Sequence, residues 1–95
     1  MAQPLLTEAT NMTKITIYTK LLCPYCVGAK SLLKKKGQKY DEIDIGRHPD
    51  QRPIMLGRAN GSHTVPQIFI GDTHVGGCDE LYALERAGKL DSLLA

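Results

Sequence analysis

Lys14-Ile15-Thr16-Ile17-Tyr18-Thr19 leads through Lys20-Leu21-Leu22 into Cys23-Pro24-Tyr25-Cys26, and after it Val27, Ala29, Lys30, Leu32 and Leu33 run up to Lys34-Lys35-Lys36-Gly37. The first run is β-branched and alternating, with Ile15 and Ile17 on one face, and reads as a strand. The residues after Cys26 lie at helical spacings. Pro24 suits a first helical position, where its missing N–H costs nothing, and Gly37 behind a basic last turn stops the helix. The strand therefore delivers the chain to Cys23 at a helix N-terminus. Tyr40 to Ile45 reads as a second strand, and strand, helix and strand within about thirty residues predict a right-handed crossover between parallel neighbours.

Beyond that unit, Gly46, Pro49, Pro53, Gly57 and Gly61 punctuate the chain, yet Ile54, Met55, Leu56 and Ala59 predict a short helix starting near Arg52 or Pro53. Gln67 to Ile70 and Thr73 to Val75 are two apolar runs separated by Gly71-Asp72, the signature of a two-residue hairpin between antiparallel strands. Asp79 to Ala87 carries Leu81, Leu84 and Ala87 at helical spacing before Gly88, and Leu90 to Leu94 adds a final turn. The expected fold class is α/β, a small four-stranded mixed sheet with helices on both faces. That architecture resembles thioredoxin-like domains, which host many functions, so function has to be read from site residues.

Ninety-five residues suffice for one domain, and 42% hydrophobic with 23% charged residues is the composition of a folded rather than a disordered chain. A formal charge of +2 is too small to argue for nucleic acid or a membrane surface as partner. Three cysteines is an odd count for a disulfide-stapled secreted scaffold and points to a reducing, cytoplasmic compartment. No apolar run approaches the roughly 20 residues of a membrane span. Residues 1–12 lack the basic start and apolar stretch of a secretion signal. They are read as a leader or flexible segment, with Met12 as an alternative start, ahead of a domain at residues 13–95.

A cysteine at a helix N-terminus faces unpaired N–H groups and the positive end of the helix dipole, both of which favour thiolate. Cys23 is the candidate nucleophile. Cys26 follows one helical turn later on the same face, within reach of a disulfide, and is the candidate resolving thiol. A thiol of pKa ~8.5 is only about 3% ionised at pH 7, so full ionisation gains roughly thirtyfold in reactive species. Nucleophilicity falls by about 0.4–0.5 log unit per pKa unit, so a drop of ~3 units gives back most of that gain. The lasting benefit is that Cys23 leaves more readily from its own mixed disulfide. The site suits repeated exchange rather than one-way oxidation.

The other reading of Cys23 and Cys26 is half of a structural zinc site completed by Cys78 and one of His48, His63 or His74. No second Cys-x-x-Cys or His-x-x-x-His pair supports it, and no metal is expected. Cys78 by itself reads as a small core-like side chain. The Lys34-Lys35-Lys36 run reads as a solvated helix end favoured by the dipole.

Three separated motifs, Thr19-Lys20 with Cys23-Pro24-Tyr25-Cys26, Thr64-Val65-Pro66-Gln67-Ile68-Phe69-Ile70, and Gly76-Gly77-Cys78-Asp79-Glu80-Leu81, make the sequence from Lys14 onward resemble a dithiol glutaredoxin. The resemblance implies a glutathione-dependent thiol–disulfide oxidoreductase that reduces protein disulfides and glutathione mixed disulfides, with glutathione as reducing co-substrate. It implies a cis Pro66 facing the cysteine pair, with Val65 free to pair with the cysteine portion of glutathione and Thr64 beside it. The Cys78 and Asp79 N–H groups after Gly77 would take the γ-glutamyl carboxylate, and the Asp79 carboxylate its ammonium, while Asp79 also caps the helix. Lys20 resembles the family's basic residue near the glycyl carboxylate. Tyr25 is expected to shield the sulfur pair. Ser62 stands where many similar sequences carry a basic residue, so one charge contact is expected to be missing.

An iron–sulfur carrier on the same fold typically has Cys-Gly-Phe-Ser or a serine in place of Pro24, so Pro24-Tyr25 argues against that alternative. A zinc-stabilised interaction module would bind metal tightly and unfold on chelation. The expected partners are glutathione and glutathionylated or disulfide-bonded proteins, with no nucleic acid and no membrane, and the protein is expected to be a monomer.

Overall fold

The computed structural model describes residues 13–95, so the expected leader at residues 1–12 lies outside the described residues. The elements in order are β1 (Ile15–Thr19), α1 (Pro24–Lys35), β2 (Asp41–Asp44), a 3-10 turn (Pro49–Gln51), α2 (Arg52–Arg58), β3 (Gln67–Ile70), β4 (Thr73–Gly76), α3 (Cys78–Arg86) and α4 (Leu90–Leu94). The four strands form one sheet in the order β2-β1-β3-β4. β1 and β2 pair in parallel with Ile17 opposite Glu42, as the crossover predicts. β1 and β3 are antiparallel with Ile17 opposite Ile68, and β3 and β4 form the expected hairpin.

Every residue of β1 is buried, because the pleat sends alternate side chains to two covered faces. Ile15 and Ile17 join Ala29, Leu32 and Leu33 of α1, Ile68 and Ile70 of β3, Leu81 of α3, and Leu90 and Leu94 of α4. On the opposite face Tyr18 and Phe69 pack with Ile45, Met55 and Ala59. The sheet is thus covered on one side by α1, α3 and α4 and on the other by α2. Each fully buried aliphatic side chain contributes about 1.5–3 kcal/mol, so the two central strands β1 and β3, buried along their whole length, carry much of the stability.

The short helix predicted near Arg52 is continuous with the 3-10 turn before it, so Pro49 and Pro53 sit in first turns rather than breaking the segment. Lys36 departs from the solvated reading of its run. Its Nζ lies 2.8 Å from Glu85 and 3.0 Å from Asp91, with the side chain only 20% exposed, and it ties the end of α1 to α3 and α4. Hydrogen bonds from Lys36 to both carboxylates raise its pKa, so the tie is fully present below the ordinary lysine range and is lost as pH climbs through the raised value.

The β3–β4 hairpin carries a register shift between Ile68 and Phe69, where Ile68 faces Gly76 and Phe69 faces His74. This leaves Val75 as an extra residue and turns the end of β4 toward α3. Gly76 takes φ +111°, a region closed to side chains. A Cβ on Gly77 would lie 3.4 Å from the Pro66 carbonyl oxygen and 3.2 Å from Glu80 Oε1. Glycine there lets α3 start against the Pro66 segment. No helix among the described residues is long and apolar enough to cross a membrane.

Candidate active site

Cys23 is the N-cap of α1, with extended backbone angles, and its Sγ accepts the Cys26 N–H at 3.1 Å. Its carbonyl already accepts the Val27 N–H at 3.1 Å, so the helix begins directly behind the sulfur. Cys23 and Cys26 form a disulfide with Cα atoms 5.2 Å apart, inside the ordinary range for a bridge. The two sulfurs are not equivalent toward solvent. Cys26 is 2% exposed on the inward face of α1 that continues through Ala29 and Leu33, whereas Cys23 is only partly buried.

The Val65–Pro66 bond is cis, as the resemblance implies. Cys23 Sγ lies 3.9 Å from the Val65 carbonyl oxygen, across 42 residues of chain. The β1–β3 ladder ends at Tyr18 and Gln67, and neither the N–H nor the C=O of Val65 has a backbone partner among the described residues. An unpaired strand end therefore faces the sulfur. Behind it Pro66 touches the Gly77 position, so α3 begins close to the same segment.

Gly77 is the N-cap of α3, and its N–H donates to Glu80 Oε1 at 2.7 Å. This corrects the capping role expected of Asp79. Asp79 stands two residues beyond the cap position, inside the first turn, and its exposed carboxylate makes no cap bond and no ion pair among the described residues. The Cys78 and Asp79 N–H groups, in the first turn, are left without helical partners. The Cys78 thiol itself turns away from solvent to within 3.4 Å of a Cβ built on Gly28 of α1. Burial, then the neighbouring Asp79 and Glu80 charges, push that thiol up, which favours its protonated form.

An open cleft of about 470 Å³ borders the disulfide and is lined by Lys20, Leu22, Cys23, Cys26, Lys30 and Glu42 among others. Lys20 is exposed there, without a carboxylate partner among the described residues. Glu42 accepts from Lys30 Nζ at 3.0 Å and from Thr19 Oγ1 at 2.8 Å. Burial opposes the Glu42 charge, but the Lys30 and Thr19 hydrogen bonds outweigh it and hold the carboxyl below its usual range. Tyr25 is 65% exposed, whereas Cys26 is buried on the inward face of α1.

The structure thus brings Cys23, Cys26, Val65, Pro66 and Gly77 into one chain of contacts, with Cys78 and Asp79 following Gly77, with Lys20 at the cleft and with Tyr25 exposed beside the disulfide in the chain. Thr64 points its carbonyl and hydroxyl to Gln67. Sequence reasoning gave Gln67 no role beyond the third strand, weighed His74 only as a metal ligand, and passed over the Lys30–Glu42 pair. Only the spacing of Lys30, four residues beyond Cys26 on the helix, was a usable signal for any of them.

The glutaredoxin family model matches residues 15–75, a span holding both cysteines and the Pro66 segment. The chain belongs to the glutaredoxin family. The glutaredoxin of Pseudomonas aeruginosa is 57% identical over 84 residues, covering 88% of this chain and 99% of that protein. The solution structure of glutaredoxin from Brucella melitensis matches with a TM-score of 0.76 at 56% identity, covering 88% of this chain and 90% of that one. The crystal structure of a buckwheat glutaredoxin–glutathione complex matches with a TM-score of 0.78 at 32% identity, over 94% of this chain and 86% of that one. As a glutaredoxin, the chain is a glutathione-dependent thiol–disulfide oxidoreductase, and its close Cys23–Cys26 pair is of the dithiol type.

Proposed function

We propose that Cys23 is the nucleophile and Cys26 the resolving thiol in the reduction of protein disulfides and glutathione mixed disulfides, with glutathione as the reducing co-substrate. The observation that carries this division is exposure: a substrate sulfur in solvent can reach partly exposed Cys23 but not Cys26 at 2% exposure. In the protein-disulfide route the Cys23 thiolate attacks one substrate sulfur and expels the other as thiolate. Cys26, losing its proton, then attacks Cys23 Sγ, which frees the reduced substrate and leaves the Cys23–Cys26 disulfide. Two glutathiones return that disulfide to dithiol and leave as glutathione disulfide. In the mixed-disulfide route Cys23 takes the glutathionyl group and releases the substrate thiolate, and a second glutathione attacks the glutathionyl sulfur to free Cys23.

The unpaired Val65 N–H and C=O beside Cys23 support pairing with the cysteine portion of glutathione in the manner of an added strand, with Thr64 and Pro66 framing it. The first-turn N–H groups of Cys78 and Asp79 behind Gly77 suit the γ-glutamyl carboxylate, and the unpartnered Asp79 carboxylate suits its ammonium. Lys20 in the cleft suits the glycyl carboxylate, and the exposed Tyr25 ring between the two cysteines is open to contact with the ligand. The buckwheat relative solved with glutathione supports the same ligand. Leu21 at 79% and Leu22 at 92% exposure flank Cys23 and suit contact with a protein carrying a disulfide. The proposal extends to residues 13–95 acting as a monomeric cytoplasmic redox domain.

A coupled assay with glutathione, glutathione reductase, NADPH and a small glutathione mixed disulfide tests the reading. NADPH consumption is expected to depend on both the protein and glutathione; activity with other thiols but not glutathione would overturn it. Because Cys23 Sγ accepts an N–H at the helix terminus, its alkylation in the reduced protein is expected to be nearly independent of pH above about 6. A rate rising tenfold per pH unit up to pH 8 would reject the activated thiolate.

A further inference from the structure

Gln67 is 3% exposed, and with Thr16 and Thr19 it forms the whole set of buried polar residues among those described. It opens β3 on the same face as Phe69, directly after the cis bond, and its carboxamide reaches back to the residue before Val65. Nε2 lies 3.0 Å from the Thr64 carbonyl oxygen and 3.1 Å from Thr64 Oγ1, while Oε1 lies 2.7 Å from His74 Nε2. A carbonyl oxygen only accepts, so the group facing Thr64 is the amide nitrogen. Its two protons then serve the Thr64 carbonyl and hydroxyl oxygen. Oε1 also only accepts, so His74 carries its proton on Nε2.

One backbone carbonyl thereby sets three donor directions in series. The last of them concerns the ligand: a Thr64 hydroxyl that accepts from Gln67 keeps its own hydrogen free to donate elsewhere. His74 is held for its part by stacking on Phe69, with ring centroids 4.9 Å apart and planes 23° apart, opposite Phe69 in the β3–β4 ladder. Thr64, Gln67 and His74 line one groove of about 330 Å³ with Gly76, Gly77 and Glu80, so the relay runs between the Val65 segment and the start of α3.

We infer that Gln67 and His74 are positioning residues for glutathione: they clamp Thr64 so that Val65 presents unpaired backbone to Cys23, and they orient the Thr64 hydroxyl as a donor to an oxygen of the bound tripeptide. The inference rests on the reading that glutathione lies along Val65. Gln67→Glu tests it most directly. A carboxylate offers acceptors only, so the Thr64 hydroxyl must turn inward to donate and the Thr64 carbonyl loses its partner. Gln67→Met removes the donors at similar volume, and His74→Phe keeps the stack on Phe69 while deleting the donor to Oε1.

In the coupled assay Gln67→Glu is expected to raise KM for glutathione about tenfold, more than it lowers kcat, because a hydrogen bond to a charged ligand group is lost. Gln67→Met and His74→Phe should raise it about threefold each, and the alkylation rate of Cys23 should stay at the parent value in all three. A lowered melting temperature with an unchanged KM would mean a structural role only and would overturn the inference. Should Gln67→Glu fail to fold, an unchanged KM in His74→Phe overturns it equally. Asp79→Ala run in parallel separates the two levels: a raised KM there with no change at Gln67 and His74 defeats this inference alone, and no change at any of the three defeats the glutathione site itself.

Discussion

Cys26→Ser is expected to lose reduction of protein disulfides by about a hundredfold or more while keeping or raising activity on glutathione mixed disulfides, and Cys23→Ser is expected to lose both. The asymmetry follows from what each route asks of the second sulfur. A protein disulfide attacked by Cys23 leaves the substrate covalently held, and Cys26, one helical turn away with its Cα 5.2 Å distant, releases it at a high effective concentration that no dissolved thiol matches. Deglutathionylation leaves only the glutathionyl group on Cys23, at the partly exposed sulfur, where a second glutathione can attack it from solvent. Cys26 is not needed for that step, and removing it also prevents the internal disulfide that diverts the enzyme. Steady-state rates on a glutathionylated peptide and on a protein with one reducible disulfide check this. Equal losses from the two substitutions on the glutathionylated peptide would sink the division of roles.

Asp79→Ala is expected to raise KM for glutathione about tenfold with little change in Cys23 alkylation. A charge-assisted hydrogen bond is worth about 1.5–3 kcal/mol, and the exposed position of Asp79 places the effect at the lower end of that range. Because Gly77 and Glu80, not Asp79, close the start of α3, the substitution removes no cap bond. It forfeits only the favourable placement of an acid in the first turn, about 0.3–1 kcal/mol of stability. The parent KM should rise with ionic strength, and the Asp79→Ala KM should rise less, since one screened attraction has gone. An unchanged KM would assign Asp79 to helix electrostatics alone.

Much of the fold was legible because the signals were local. The alternation of Lys14 to Thr19, the helical spacing after Pro24 and the two-residue link Gly71-Asp72 each specify backbone geometry within a few residues, and the strands and helix they predict are present. The three-residue spacing of Cys23 and Cys26 likewise set their juxtaposition, since one helical turn brings such residues together. Where sequence reading went astray, a distant partner decided. Lys36 looks like its neighbours Lys34 and Lys35, and only the arrival of Glu85 and Asp91 from two other helices makes it an interhelical tie. Asp79 looked like a cap because Asp is a common one, but the Glu80 carboxylate folds back on Gly77 and the cap lies there, two residues earlier.

The sequence by itself determined the order of the elements, the presence of a sulfur pair at a helix N-terminus, and, through its resemblance to a family, the chemistry to expect of that pair. Only the tertiary structure decided which sulfur solvent can reach, that Val65 meets Cys23 with its backbone unpaired, and that Gln67 and His74 stand behind Thr64. The physical reason is the range of the interactions. Helical and strand periodicity, turns and a one-turn disulfide are written in neighbouring residues. Exposure and the contact across 42 residues depend on how α1, the Pro66 segment and α3 pack around one sheet, where chain closure and burial of the whole core are settled together.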